Sequence, residues 1–132
     1  MPDYTPILIP GLTGTFIAAA QLTGGDPVEV AGTGTVQHAG AASMAYIGIA
    51  AMDAAAGARV TVIMDRVVHE GPADGAINAR DQLVPSAVPG RQVKTAPAAV
   101  LGDAADVNAA RAVCGIALTT ATDGATIRWM QR

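Results

Sequence analysis

The sequence predicts a mainly β fold: a small barrel or sandwich built from a duplicated β-hairpin unit, with an extended N-terminal arm and room for one short helix. Three observations carry this. Gly48–Val62 and Gly115–Trp129 are gap-free copies at a constant offset (115 − 48 = 67 and 124 − 57 = 67), superposing Ile49 on Ile116, Ala50 on Ala117, Ala54 on Ala121, Ala58 on Ala125 and Val60 on Ile127. Each copy reads as a short apolar strand, a small-residue turn and a second strand. The match resumes upstream, where Gly25-Asp-Pro-Val28 faces Arg80-Asp-Gln-Leu83 at a smaller offset (81 − 26 = 55), so the second copy carries about a dozen extra residues, assigned here to Ala96–Ala112. Neither half could bury its apolar face alone, so two such units are expected to pack as one pseudo-symmetric domain.

The elements follow in order. An arm (residues 1–14) precedes one β-rich domain (15–132), with the first repeat at about 15–64, the second at about 66–132 and the insertion at about 96–112. Pro2, Pro6 and Pro10 deny the arm a helix or a central strand, leaving Ile7-Leu8-Ile9 as β-favouring side chains without a place in the repeat. Such an arm can pad the domain as an edge strand, or add to a sheet on another protein through main-chain hydrogen bonds. Thr15–Leu22 reads as a strand that Gly24-Gly25 turns into Pro27–Val30, and Gly32-Thr-Gly34 is a tight turn. Tyr46–Met52 and Arg59–Met64 form a hairpin, with Val60, Val62 and Met64 on one face by period two. In its Asp53–Gly57 loop, Gly57 supplies a positive φ. Arg66–Glu70 opens the second unit, Pro72–Gly75 turns, and Ala76–Val84 is strand and turn. Pro85–Gly90 is a loop and Arg91–Thr95 a short strand. Asp103 is placed to cap a helix over Ala104–Ala112, with Asp106 and Arg111 suiting its dipole. Val113–Leu118 and Ala125–Met130 close the chain around the hairpin signal Asp123-Gly124.

Composition bounds the function. Of 132 residues, 29 are alanine and only four are aromatic (Tyr4, Phe16, Tyr46, Trp129), which predicts a thin core and no roomy ligand pocket. Net charge is −3, and all eight Lys and Arg lie at or after Arg59 without forming a stripe, against the clustered cations that nucleic acid requires. The early part of the chain lacks the cations of a signal peptide, and no apolar run approaches the ~18 residues of a membrane span. The expectation is cytoplasmic synthesis, with neither membrane nor nucleic acid as partner.

Site chemistry is sparse. His38 and His69 have no partners at metal-ligand spacing beyond the adjacent Glu70, so both read as solvated loop or strand-end residues, and no cofactor or metal is expected. Cys114, the single cysteine, reads as a small core thiol. No nucleophile motif surrounds Ser43 or Ser86, while Asp26, Asp74, Asp81 and Asp123 stand where turns use a short acceptor. No catalytic residue is assigned. The repeat itself singles out Gly48, Gly57, Gly115, Gly124, Val62 and Trp129 as its turn and core positions.

Gly71-Pro-Ala-Asp-Gly-Ala-Ile-Asn-Ala-Arg-Asp-Gln-Leu-Val84, with Cys114-Gly-Ile-Ala-Leu118, Asp123-Gly-Ala-Thr-Ile-Arg-Trp129 and the upstream Gly25-Asp-Pro-Val28 turn, resembles the small capsid decoration (cement) proteins of tailed bacteriophages. Met1–Leu12 and Ala96–Ala112 depart from that pattern. The resemblance implies a structural virion protein, similar in role to the lambda head decoration protein, that binds the outer surface of the head and bridges major capsid subunits. It also implies a homotrimer at threefold and quasi-threefold positions. Tyr4, Ile7, Leu8 and Ile9 are then candidate capsid-contact residues of the arm. The alternative is a small β-barrel on the virion surface that binds a sugar or host surface molecule through Tyr46, Trp129 and His69. Its competing explanation is that Tyr46 and Trp129 fill the cores of their own repeats.

Overall fold

The computed structural model describes residues 12–98, 100, 102, 107 and 110–132. It is mainly β. Five strands form the first unit: β1 (Thr13–Ala18), β2 (Pro27–Gly32), β3 (Thr35–His38), β4 (Tyr46–Ala50) and β5 (Arg59–Ile63). They close into a barrel in the order β1-β3-β2-β4-β5, with β5 returning to β1 antiparallel and β1 meeting β3 parallel. The second unit has β6 (Val68–Pro72), β7 (Gln82–Pro85), β8 (Val93–Thr95), β9 (Gly115–Ala117) and β10 (Thr126–Gln131), ordered β6-β10-β9-β7-β8. That is the first barrel's cyclic order, with its edges β6 and β8 joined only by the parallel bridge Ala73↔Val93.

The equivalence extends to single hydrogen bonds. Thr23 N–H donates to Asp26 Oδ2, as Asn78 N–H does to Asp81 Oδ2, at the offset of 55. The bridges Leu22↔Ala54 and Ile77↔Ala121 also correspond. The closing contacts Ala18↔Val36 and Ala73↔Val93 lie at offsets of 55 and 57, so two of the extra residues fall between β7 and β8. The other ten (67 − 57) fall between β8 and β9. The surplus is therefore split between two loops rather than confined to 96–112. Within that insertion, Val107, Ala110 and Arg111 are helical, whereas the capping position Asp103 lies outside the described residues.

The Gly24-Gly25 turn leads from β1 to β2 without pairing them, because β1 lies between β3 and β5. A tight glycine turn suggests a hairpin, but here burial of Ala18 and Leu22 under the barrel carries the chain across to a non-neighbouring strand. Two cores result: Ala18, Leu22, Val28, Val36, Ala50, Ala54, Val60 and Val62 in the first unit, and a second cluster around Trp129, Ile127, Leu83 and Ile77. Ile49 of the first unit belongs to the second cluster, so the units share an apolar seam.

Candidate functional site

Burying polar groups is tolerable only when each finds a hydrogen-bond partner, and the seam is where this chain does so. Trp129 Nε1–H donates to Gln92 Oε1 (2.8 Å), and Gln92 Nε2 donates to the Gly25 carbonyl of the first unit (3.0 Å). Gln131 Oε1 accepts from the Tyr46 hydroxyl (2.9 Å) and from His69 Nε2 (3.0 Å), while its Nε2 donates to the Asp65 carbonyl (3.0 Å). An amide oxygen only accepts, so His69 carries its proton on Nε2 in the neutral tautomer. The imidazole also lies 4.9 Å from the Trp129 ring, tilted by 36°. His69, Gln92, Gln131 and Trp129 are all essentially inaccessible. They occupy one end of the second unit, and the outer face of β4 and β5 caps that end.

The same surfaces meet different fates in the two units. Across the first barrel's outer face, strand pairing aligns Pro27, Ile49 and Ile63 in one row, and all three are buried. The equivalent row of the second unit is Gln82, Ile116 and Met130, continued by Val68 on β6. Ile63 is 5% exposed and its counterpart Met130 is 37% exposed, with Leu118 beside it at 45%. The rim of this open face carries an ion pair in which Arg128 Nε and Nη2 both donate to Glu70 Oε1, at 3.1 and 2.7 Å.

Burial pushes the Cys114 thiol up to about 12, leaving it protonated and unreactive. Burial likewise pushes His69 down to about 4, against a smaller upward pull from its bond to Gln131. For Glu29, partial burial works to raise the pKa, but hydrogen bonds from Ser43, Gln37 and the Gly40 amide outweigh it and hold the carboxylate below its usual range. His38 Nδ1 bonds the Ala39 carbonyl, and its Nε2 faces Asp26 Oδ1 at 3.9 Å. Among the described residues no three His, Cys, Asp or Glu gather closely enough to hold a metal ion. A cleft of about 110 Å³ opens beside the seam between Thr23, Gly25, Glu70 and Gln92. No described helix is long and apolar enough to cross a membrane.

Several residues singled out from the sequence are placed by these elements. Tyr4, Ile7, Leu8 and Ile9 lie outside the described residues. Gly57 and Gly124 turn with φ of +83° and +77°. Gly48 and Gly115 are strand glycines at close approaches: a Cβ would stand 2.1 Å from the Ile63 carbonyl oxygen and 2.4 Å from that of Met130, respectively. Val62 and Trp129 fill equivalent core positions. His69 is fully buried, which corrects its reading as a solvated residue; the pairing Trp129↔His69 turns it inward under the ring. Tyr46 is also corrected, since it packs against the second unit's cluster and not its own repeat's core. With Trp129 and His69 inaccessible, neither offers a sugar a ring face. Gln92, just before β8, and Gln131, in β10, carry no local sign in the sequence that they are buried.

These features define a class: a tandem of two like five-stranded β units, joined through a buried polar seam and ending in an open apolar sheet face. The same architecture is found in the N base of the head fiber gp8.5 of bacteriophage phi29, with a TM-score of 0.63 at 16% sequence identity, over 92% of this chain and 93% of that one. At this identity the likeness is one of fold. No family model and no curated protein matches the sequence.

Proposed function

We propose that this chain is a structural protein of a tailed-phage virion that binds the outer surface of the head, bridges major capsid subunits and so stabilises the shell. The observation that carries the reading is the fold shared, over nearly the full length of both chains, with a phage head fiber base. The turn motifs resembling decoration proteins point the same way, and the reading assigns the chain contact surfaces rather than catalysis. A homotrimer at threefold and quasi-threefold positions is the assembly it implies, with the arm residues Tyr4 and Ile7–Ile9 contacting capsid strands.

The test is sedimentation of the purified chain with expanded, undecorated heads. Saturable co-sedimentation is expected, together with heads that resist higher temperature before bursting. Absence of association at any concentration would overturn the reading. Deleting residues 1–10 is expected to weaken binding, and undiminished binding would remove the arm from the contact.

A further inference from the structure

The contact made inside the molecule has both of its halves repeated on the outside. One half is the outer face of β4 and β5, and its equivalent on β9 and β10 (Ile116, Met130, Leu118) is exposed or only partly buried. The other half is the end of the second unit, formed by His69, Gln92 and Gln131. Its equivalents in the first unit, at offsets of 55, 57 and 67, are Gly14, Thr35 and Met64, each partly exposed. Met64 lies over Gly14, where a Cβ would come within 2.7 Å of its methyl, and Phe16 packs beside them.

We infer that a second copy of this chain docks there. The Gly14–Phe16–Met64 end of one copy's first unit seats on the Val68–Ile116–Met130 face of the next copy's second unit, repeating between copies the packing already made within each. The two surfaces match in chemistry as well as position. The internal seam needs hydrogen bonds because His69, Gln92 and Gln131 are buried in it, with the hydroxyl of the partly buried Tyr46 as one of their partners. At the equivalent external positions stand Val113, Gly14, Thr35 and Met64, so the external contact is mainly apolar, with the Thr35 hydroxyl and the exposed Gln82 amide in the row of Ile116 and Met130 as polar groups. Arg128 and Glu70 at the rim already satisfy each other. Because the two surfaces differ, the contact is heterologous and propagates in one direction, closing a ring or extending a chain. Only the ring size, three, rests on the function proposed above.

Sedimentation of the full chain without heads tests the docking. The wild type is expected as a discrete oligomer. Met130→Asp on one surface and Met64→Asp on the other are each expected to give monomer while retaining the wild-type circular dichroism spectrum. Direction is read by cross-linking in a Cys114→Ala background: M64C and M130C proteins mixed with a short bis-maleimide should couple to each other, and neither to itself. A monomeric wild type, an oligomer indifferent to Met130→Asp, or M130C coupling to itself would overturn the inference. Head binding is scored separately. A cross-linked oligomer that ignores heads would sink the capsid reading alone, and a monomer that decorates heads would sink this one alone.

Discussion

The two β units follow one plan, yet their interiors are built oppositely. In the first, Phe16 supplies bulk from β1 and Val62 stands small on β5; in the second, Gly71 replaces Phe16 and Trp129 replaces Val62. A Cβ on Gly71 would come within 2.3 Å of the Gln92 amide, so the bulk moved to the opposite strand because that space is taken by the polar seam. Close-packed interiors conserve volume rather than residue positions. The lesson is that a duplicated unit differs where it meets its twin: where the first unit has Gly14, Thr35 and Met64, the second has His69, Gln92 and Gln131 at the end that is covered.

The largest break in this comparison is Trp129→Ala against Val62→Ala. The first opens a cavity and leaves Gln92 Oε1 without its donor, so a loss of about 4 kcal/mol is expected, against about 2 kcal/mol for the second. Urea unfolding of both variants measures the difference, and equal losses would mean that neither the larger cavity nor the unpaired Gln92 destabilises the second unit.

Acid sharpens the comparison next. His69 is held neutral in the folded protein down to about 4, while the unfolded chain takes up its proton near the ordinary value of 6.5. The stability this neutral imidazole allows is fully present above pH 6.5 and is lost as pH falls toward 4, by about 3 kcal/mol. His69→Gln is expected to flatten the pH dependence of unfolding in that window, since the first unit's Gly14 shows that the fold does not require an imidazole there. An unchanged slope would sink the assignment.

The smallest effect lies in the turns. Gly25 (φ +94°) and Arg80 (φ +81°) are equivalent positions in the left-handed region, where only glycine is unstrained. Gly25→Ala is expected to cost about 1–2 kcal/mol, and Arg80→Gly to stabilise by roughly 0.5 kcal/mol after the added freedom of the unfolded chain is counted. Thermal melts resolve both signs.

Much of this was legible in the residues. The duplication showed as two offsets because strand and turn preferences are local, and Asp-Gly, Gly-Asp-Pro and spaced apolar residues announce themselves over a few positions. The face of Val60, Val62 and Met64 followed from period two, and the repeat carried the places of Val60 and Val62 to Ile127 and Trp129, which are buried. The candidate site did not follow in this way. Nothing within a few residues of His69, Gln92 or Gln131 marks them as buried, because their partners lie across the fold: Gln92 is 67 residues from Gly25, and Tyr46 is 85 from Gln131.

Sequence by itself thus determined the β class, the repeat and its turn chemistry, each a property of neighbouring residues. Tertiary structure alone decided that β1 crosses to β3, that the surplus residues divide between two loops, and that Ile49 and Ile63 are covered while Ile116 and Met130 face outward. The reason is physical. Copies with nearly the same local preferences become different only through what packs against them, and that depends on contacts between residues far apart in the chain.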